Sequence, residues 1–252
     1  MLGAIIGDIV GSRFEFDNHL GTDFELFTDE CSYTDDTICT VAIADAILHN
    51  KSYKDSLVEW CNKYPHPMGD YGARFTQWIH NPEPYNSFGN GSAMRVSPIG
   101  WSFDDLTDTM IDAAVSAEVS HNHPEGVKGA VAVAGLIFQL RSGTKLEDID
   151  FQDMYTFQKV DYIRATNSFN ETCQITVPQA ISCVMEATSF EDAIRLAISI
   201  GGDTDTIAAI AGSIAEPIWG IPDRIKQKAL QYLPTEMIEI INEFTKKYRE
   251  KD

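Results

Sequence analysis

After Asp205 the apolar positions fall at Ile207, Ile210, Ala211, Ile214, Ala215 and Ile218, the spacing of one helix face. From Thr37 to Ala44 the chain is apolar on nearly every side, which predicts a central, buried helix. The same recurrence predicts helices over 2–11, 36–49, 52–63, 69–80, 91–98, 104–120, 124–141, 150–165, 172–187, 190–200, 205–218 and 222–232, with a last one near 235–249. Asp104-Asp105 and Ser189-Phe190-Glu191-Asp192 carry N-cap signals. No convincing alternating run and no Asn-Gly hairpin with apolar flanks occurs. The fold class is therefore all-α, and residues 1–252 are expected to form a single compact multi-helix domain. Loops are expected at 17–33, 64–70, 81–90 and 142–149. The first is long and acidic, either a solvated loop or a lid.

Composition changes this picture in two ways. The formal net charge of -19 argues against a stable nucleic-acid complex, which rests mainly on Lys and Arg neutralising phosphates. It also repels anionic substrates at long range, so local cations or amide donors must bind them. The five cysteines are odd in number and lack CxxC spacing, so neither a disulfide framework nor a zinc site is expected. A reducing cytoplasm fits that usage, and the N-terminus shows no basic leader. The most apolar stretch, 127–140, is interrupted by Lys128 and Gln139 and is shorter than the roughly 20 residues of a membrane span. No membrane association is expected, and the chain is expected to act as a monomer.

Two acidic stretches, Thr34-Asp35-Asp36-Thr37 and Gly202-Asp203-Thr204-Asp205-Thr206, run straight into the two helices named first. Capping alone explains one oxygen per helix start, and first-turn acids gain about 0.3–1 kcal/mol from the helix dipole. Each stretch carries two Asp and two Thr, and adjacent carboxylates repel one another unless a cation is present. If the two ends meet, they offer hard oxygen ligands suited to Mg²⁺ or Mn²⁺. Asp203 and Thr206 would share a helix face, whereas Asp205 points elsewhere unless the first turn begins after it.

Other polar residues stand out by position. Asp8 lies inside an apolar run, which predicts a buried hydrogen-bonding role supporting the site. Glu15, just beyond the first helix, is either a site carboxylate or a surface partner of Arg13. In Gly89-Asn90-Gly91-Ser92 the glycines permit backbone N–H groups to converge on an anion, with a helix starting near Ser92 adding its positive end. A plain turn is the alternative, and no Walker A lysine follows. In Ser120-His121-Asn122-His123-Pro124 the two histidines are weak evidence for a metal, and Asn122 or His123 is expected to cap the helix at Pro124.

Taken in order, Gly3 to Gly11 followed by Glu15, Tyr33 to Thr37, Gly89 to Arg95, Ser120-His121 and Gly201 to Ala208 make the chain resemble the ADP-ribosylglycohydrolase family, the dinitrogenase-reductase-activating type. The resemblance implies a hydrolase that cleaves the N- or O-glycosidic bond of an ADP-ribosylated protein or small ADP-ribosyl adduct. It implies a binuclear centre of two Mg²⁺ or Mn²⁺ ions per chain at helix N-termini, held by Thr34, Asp35, Asp36, Asp203, Asp205 and Thr206 and gripping the distal ribose. Glu15, Asp35 and Asp36 are then the expected catalytic residues. Gly89, Asn90, Gly91 and Ser92 are expected at the pyrophosphate, His121 on the substrate, and Asp70 at the leaving group. Two other classes stay open: a non-catalytic relative, since the family resemblance extends to eye-lens crystallins, and a two-metal phosphoesterase. The group attached to the ribose is not specified.

Overall fold

The computed structural model describes residues 1–150 and 154–249, and among these every regular element is helical. The α-helices are α1 (Leu2–Gly11), α2 (Asp35–His49), α3 (Tyr53–Lys63), α4 (Ala73–His80), α5 (Gly91–Met94), α6 (Ser97–Ser102) and α7 (Leu106–Glu118). They continue as α8 (Pro124–Arg141), α9 (Val160–Thr166), α10 (Cys173–Glu186), α11 (Phe190–Ser199), α12 (Thr204–Trp219), α13 (Asp223–Ala229) and α14 (Thr235–Tyr248). Two isolated bridges, Thr34 with Met68 and Gly89 with Thr172, join loops to one another.

Side-chain caps fix several of these starts. Asp105 accepts from Thr107 N and Asp108 N, and Ser189 accepts from Asp192 N. His123, not Asn122, caps α8, its Nδ1 accepting from Glu125 N at 3.1 Å. Asn122 instead accepts from Asn86 N at 2.7 Å.

Glycine spacing sets the centre of the fold. Gly3, Gly7 and Gly11 recur every four residues along α1, the spacing of one helix face. A Cβ on Gly3 would lie 2.2 Å from Gly212 O, one on Gly7 2.0 Å from Ala208 O, and one on Gly11 2.6 Å from Asp205 Cα. No side chain fits there, so the backbones of α1 and α12 touch along their length. That contact carries the chain just after α1 to the first turn of α12. The middle of α2 is also buried on all sides, from Asp36 to Ala46. The starts of α2 and α12 therefore open at one place, inside the molecule.

Four expected helices differ. The one over 69–80 begins only at Ala73, because Gly69 (φ +80°) and Asp70 (φ +59°) are left-handed. The one over 91–98 breaks into α5 and α6, with Pro98, which lacks an N–H to donate to the preceding turn, placed in the first turn of α6. Of the one over 150–165, residues 151–153 lie outside the described residues, and helix starts only at Val160. Before it, 155–159 are irregular, and Tyr155 is buried with Lys128 Nζ 4.5 Å from its ring centre. The one over 222–232 tightens to a 3₁₀ turn at Leu230–Tyr232.

Segment 17–33 is pinned. Arg195 donates to Thr22 O (2.9 Å) and Phe24 O (2.8 Å), and Tyr232 Oη donates to Thr28 O (2.9 Å). Asn18 bridges Phe14 O (2.7 Å) to both backbone groups of Gly202. These bonds tie the segment to α11, to the 3₁₀ turn at Leu230–Tyr232 and to the Gly201-Gly202 turn. No helix among the described residues is long and apolar enough to cross a membrane.

Candidate active site

At the start of α2, the Thr34 hydroxyl accepts from Asp36 N at 3.2 Å and donates to Asp8 Oδ1 at 2.8 Å. Asp8 Oδ2 accepts from Thr34 N (3.0 Å), Thr37 N (3.1 Å) and the Thr37 hydroxyl. The α1 carboxylate thus satisfies the donors of the α2 start from beneath. Burial raises Asp8 to about 6, against the pull of those four hydrogen bonds.

At the start of α12, Asp203 occupies the N-cap position without a side-chain capping bond. Its Oδ2 accepts instead from Asn90 Nδ2 at 2.6 Å. Gly201 (φ +68°) and Gly202 (φ +84°) make the turn that lets Asp203 precede the helix. Asp203 therefore faces Asp205 across the helix start, and the two do not point apart. Ligand oxygens of Glu15, Asp203 and Asp205 all lie within 4.8 Å of one another. Thr206 Oγ1 donates to Asp36 Oδ1 at 3.3 Å, which joins the two helix starts directly.

These groups line a cavity of about 500 Å³. Asp35, Asp36, Asp203, Asp205, Thr206 and Glu15 form its floor. Gly89, Asn90, Gly91, His121 and Asp70 also line it, with Asn90 bonded directly to Asp203. Thr34 is buried below the floor with its hydroxyl engaged by Asp8. Ser92 is also buried, its hydroxyl donating to Gly126 O at 2.7 Å. The α5 helix that follows the glycine loop is a single turn, so the helix dipole expected near Ser92 does not develop. Asn90 likewise directs its amide to Asp203 and to Thr176 Oγ1 (3.1 Å).

Glu15 is not the surface partner of Arg13. Arg13 pairs with Glu30 at 3.7 Å and donates to Glu25 O. Glu15 lies in the cavity wall, its Oε2 2.9 Å from where a Cβ on Gly69 would stand. Burial, then the repulsion of Asp205, Asp8 and Glu171, raises it to about 8. Burial and mutual repulsion also raise Asp35, Asp36 and Asp205 well above the ordinary carboxylate range. Burial raises Asp203 to about 7.

Such a cluster of acids is offset by a cation. Among the described residues, Asp36 Oδ2 and Asp205 Oδ1 are buried and have no hydrogen-bond partner. Orphaned anionic oxygens facing one cavity fit a hard divalent ion by donor type and by charge.

Sequence reasoning did not reach several cavity residues. Phe16, Phe169 and Glu171 line the mouth, with the two phenyl rings 6.2 Å apart and 75% and 47% exposed. Phe16 beside Glu15 carried a signal, an aromatic residue in an otherwise polar segment. Arg74, Tyr85, Ser87 and Arg95 also line the cavity and carried none.

A family model described as ADP-ribosylglycohydrolase matches residues 1–252. The chain is similar to ADP-ribosylarginine hydrolase Tri1 of Pseudomonas putida, 25% identical over 88% of this chain and 70% of that one. It is similar to ADP-ribosylhydrolase ARH3 of Homo sapiens, 24% identical over 94% of this chain and 90% of that one. A solved structure described as an ADP-ribosylglycohydrolase-related protein complex shares the fold, with a TM-score of 0.73 and 20% identity over 97% of this chain and 95% of that one. With the whole chain covered by that model, the protein belongs to the ADP-ribosylglycohydrolase family.

Proposed function

We propose that this protein hydrolyses the glycosidic bond between ADP-ribose and a substituent on its distal ribose, using two divalent ions, Mg²⁺ or Mn²⁺. The observation that carries the reading is the meeting of two acidic helix starts and Glu15 on one cavity that the glycine loop and His121 also line. Asp35, Asp36, Asp203, Asp205 and Thr206 would hold the ions, with Thr34 and Asp8 fixing the α2 start from below. When bound, the ions supply positive charge to the ribose hydroxyls and acidify a water.

The chain's own groups do the rest. Glu15 takes a proton from water as the water oxygen bonds to the anomeric carbon. The bond to the substituent breaks with its electron pair going to the substituent, which takes up a proton as it leaves, so one water is divided between sugar and substituent. The Glu15 carboxylate also stabilises the positive charge that develops on the sugar. Burial, and after it the repulsion of Asp205, Asp8 and Glu171, favours the protonated form of Glu15. With ions held by the neighbouring acids the repulsion would be offset, and Glu15 drawn towards the ionised form a base needs. The expected amide cradle is partly spent, with Gly89 N donating to Ser87 Oγ (3.1 Å) and Asn90 N to Glu171 O (2.8 Å). His121, packed against Gly91, is therefore the group left to meet the pyrophosphate in the cavity. The substituent leaves past Gly69 and Asp70, the segment that abuts Glu15.

The names of the relatives support an ADP-ribosylated substrate, arginine-linked in one of them. The test is a panel of mono-ADP-ribosylated arginine, serine, acetyl ester and nucleobase substrates with Mg²⁺, Mn²⁺ or EDTA. Release of ADP-ribose that EDTA abolishes is expected. Release of AMP would assign a phosphoesterase, and binding without turnover would assign a non-catalytic relative.

A further inference from the structure

Arg95 is fully buried and, among the described residues, forms no ion pair. It closes the segment that begins with the glycine loop, standing directly after α5. One terminal nitrogen, Nη2, donates to Ser116 O at 3.0 Å and to Ser120 Oγ at 2.9 Å. Ser120 Oγ in turn lies 2.7 Å from His121 Nδ1. A buried arginine without a carboxylate is costly, so its placement calls for a reason.

The donor inventory orients the chain of bonds. A guanidinium only donates, so Ser120 Oγ is the acceptor in its bond with Arg95. The serine hydroxyl has one proton of its own, and Ser120 is buried. His121 Nδ1 is the acceptor within reach of that proton. With Nδ1–H instead, the serine proton would be left buried and unpaired. The imidazole therefore carries its proton on Nε2. That nitrogen faces the glycine loop: it is 3.0 Å from where a Cβ on Gly91 would stand and 3.5 Å from one on Gly89.

We infer that Arg95, acting through Ser120, is the positioning residue that holds His121 as an Nε2–H donor to the anionic part of the ligand over Gly89 and Gly91. Burial, then Arg95 and Arg74, push His121 well below its ordinary pKa, so the ring is neutral and its tautomer decides what it offers the ligand. The opposite tautomer would present a lone pair to an anion. The glycine segment thus supplies both the close backbone approach that admits the imidazole and, four residues after Gly91, the cation that orients it.

The inference rests on the proposed function for the identity of the ligand alone. Its test uses the full chain labelled with ¹⁵N-histidine, with Ser120→Ala and Ser120→Thr variants. Ring-nitrogen shifts are expected to show His121 protonated at Nε2 in the wild type and in Ser120→Thr, and to lose that preference in Ser120→Ala. Binding of ADP-ribose with Mg²⁺ should weaken about tenfold in Ser120→Ala and recover in Ser120→Thr, with adenosine affinity unchanged. A wild-type His121 protonated at Nδ1 overturns the inference, as does an Nε2 proton retained in Ser120→Ala. Equal weakening of adenosine and ADP-ribose would reduce Ser120 to a structural role. If the wild type binds no ADP-ribose, the functional reading fails while the ring-nitrogen shifts still decide the relay.

Discussion

At the start of α2 the helix donors are claimed by Thr34 and, from α1, by Asp8, whereas at the start of α12 Asp203 makes no capping bond at all. The first start is finished as a piece of structure before Asp35 and Asp36 are counted. Their carboxylates are surplus to it, and Asp36 Oδ2 has no partner among the described residues. The second start is unfinished: Asp203 turns to Asn90, and Asp205 Oδ1 is buried without a partner. A buried acid that caps is stabilising, and one that faces other acids costs stability until a cation arrives. The two ends therefore divide the work, one holding the fold and one holding charge.

Substitutions of the acids that line the cavity should break activity outright, whichever start carries them. Asp205→Asn and Asp35→Asn are each expected to abolish turnover, since a lost anionic ligand weakens the metal. Both should leave the metal-free thermal midpoint unchanged or higher, because each removes repulsion. Full activity after prolonged dialysis against EDTA would sink the metal reading for both ends.

Glu15→Gln comes next in size. Glutamine keeps the shape but can neither accept the water proton nor stabilise positive charge on the sugar. Turnover should fall by about 10²–10⁴-fold, while ADP-ribose binding changes much less. Calorimetry and a turnover assay on one preparation check this. Turnover within a few-fold of wild type would move the base elsewhere.

The structural end gives the reverse result. Asp8→Ala orphans the N–H groups of Thr34 and Thr37, at about 1–3 kcal/mol for each buried donor left unpaired. Denaturant unfolding in EDTA should show a loss of about 2 kcal/mol or more, after the relief of repulsion on its acidic neighbours. An unchanged midpoint would mean that α2 caps itself.

How far the sequence carries this division depends on range. Asp8 reads as a buried acid because its neighbours Ile5, Ile6, Ile9 and Val10 are apolar, and it is one. The helices α2 and α12 read from their own residues, and so did the acids at their starts. What does not read locally is direction. Asp205 was expected to diverge from Asp203 on helix geometry, and it converges because the left-handed Gly201-Gly202 turn places Asp203 outside the helix. Proline marks the break at Pro98 only weakly, because Pro178 and Pro217 sit inside α10 and α12 without ending them. The bond from Arg95 to Ser120 joins residues 25 apart, and no local pattern announces it.

The smallest effect is also the one that isolates the charged end. In EDTA, Asp203 is raised to about 7 by burial, with Glu15 and Glu171 adding to the shift and bonds from Asp205 and Asn90 opposing it. A carboxylate raised above its unfolded value of about 3.9 contributes stability that is complete below that value and lost as pH rises through its folded value. Metal-free wild type should therefore lose stability as pH rises from about 4 to about 7, with little further change above that. Burial lowers both His121 and the Met1 ammonium, which pull the other way as pH rises. They do so equally in Asp203→Asn, so the difference between the two proteins removes them. The wild-type midpoint should fall more steeply across this window, by about 2–4 °C for each kcal/mol of difference in a chain of this size. Added Mg²⁺ should flatten the wild-type curve and leave the variant largely unmoved, because only the intact set of acids binds the ion well. Parallel curves in EDTA would show that Asp203 is ionised without a cation, and the two helix starts would then differ in geometry but not in charge.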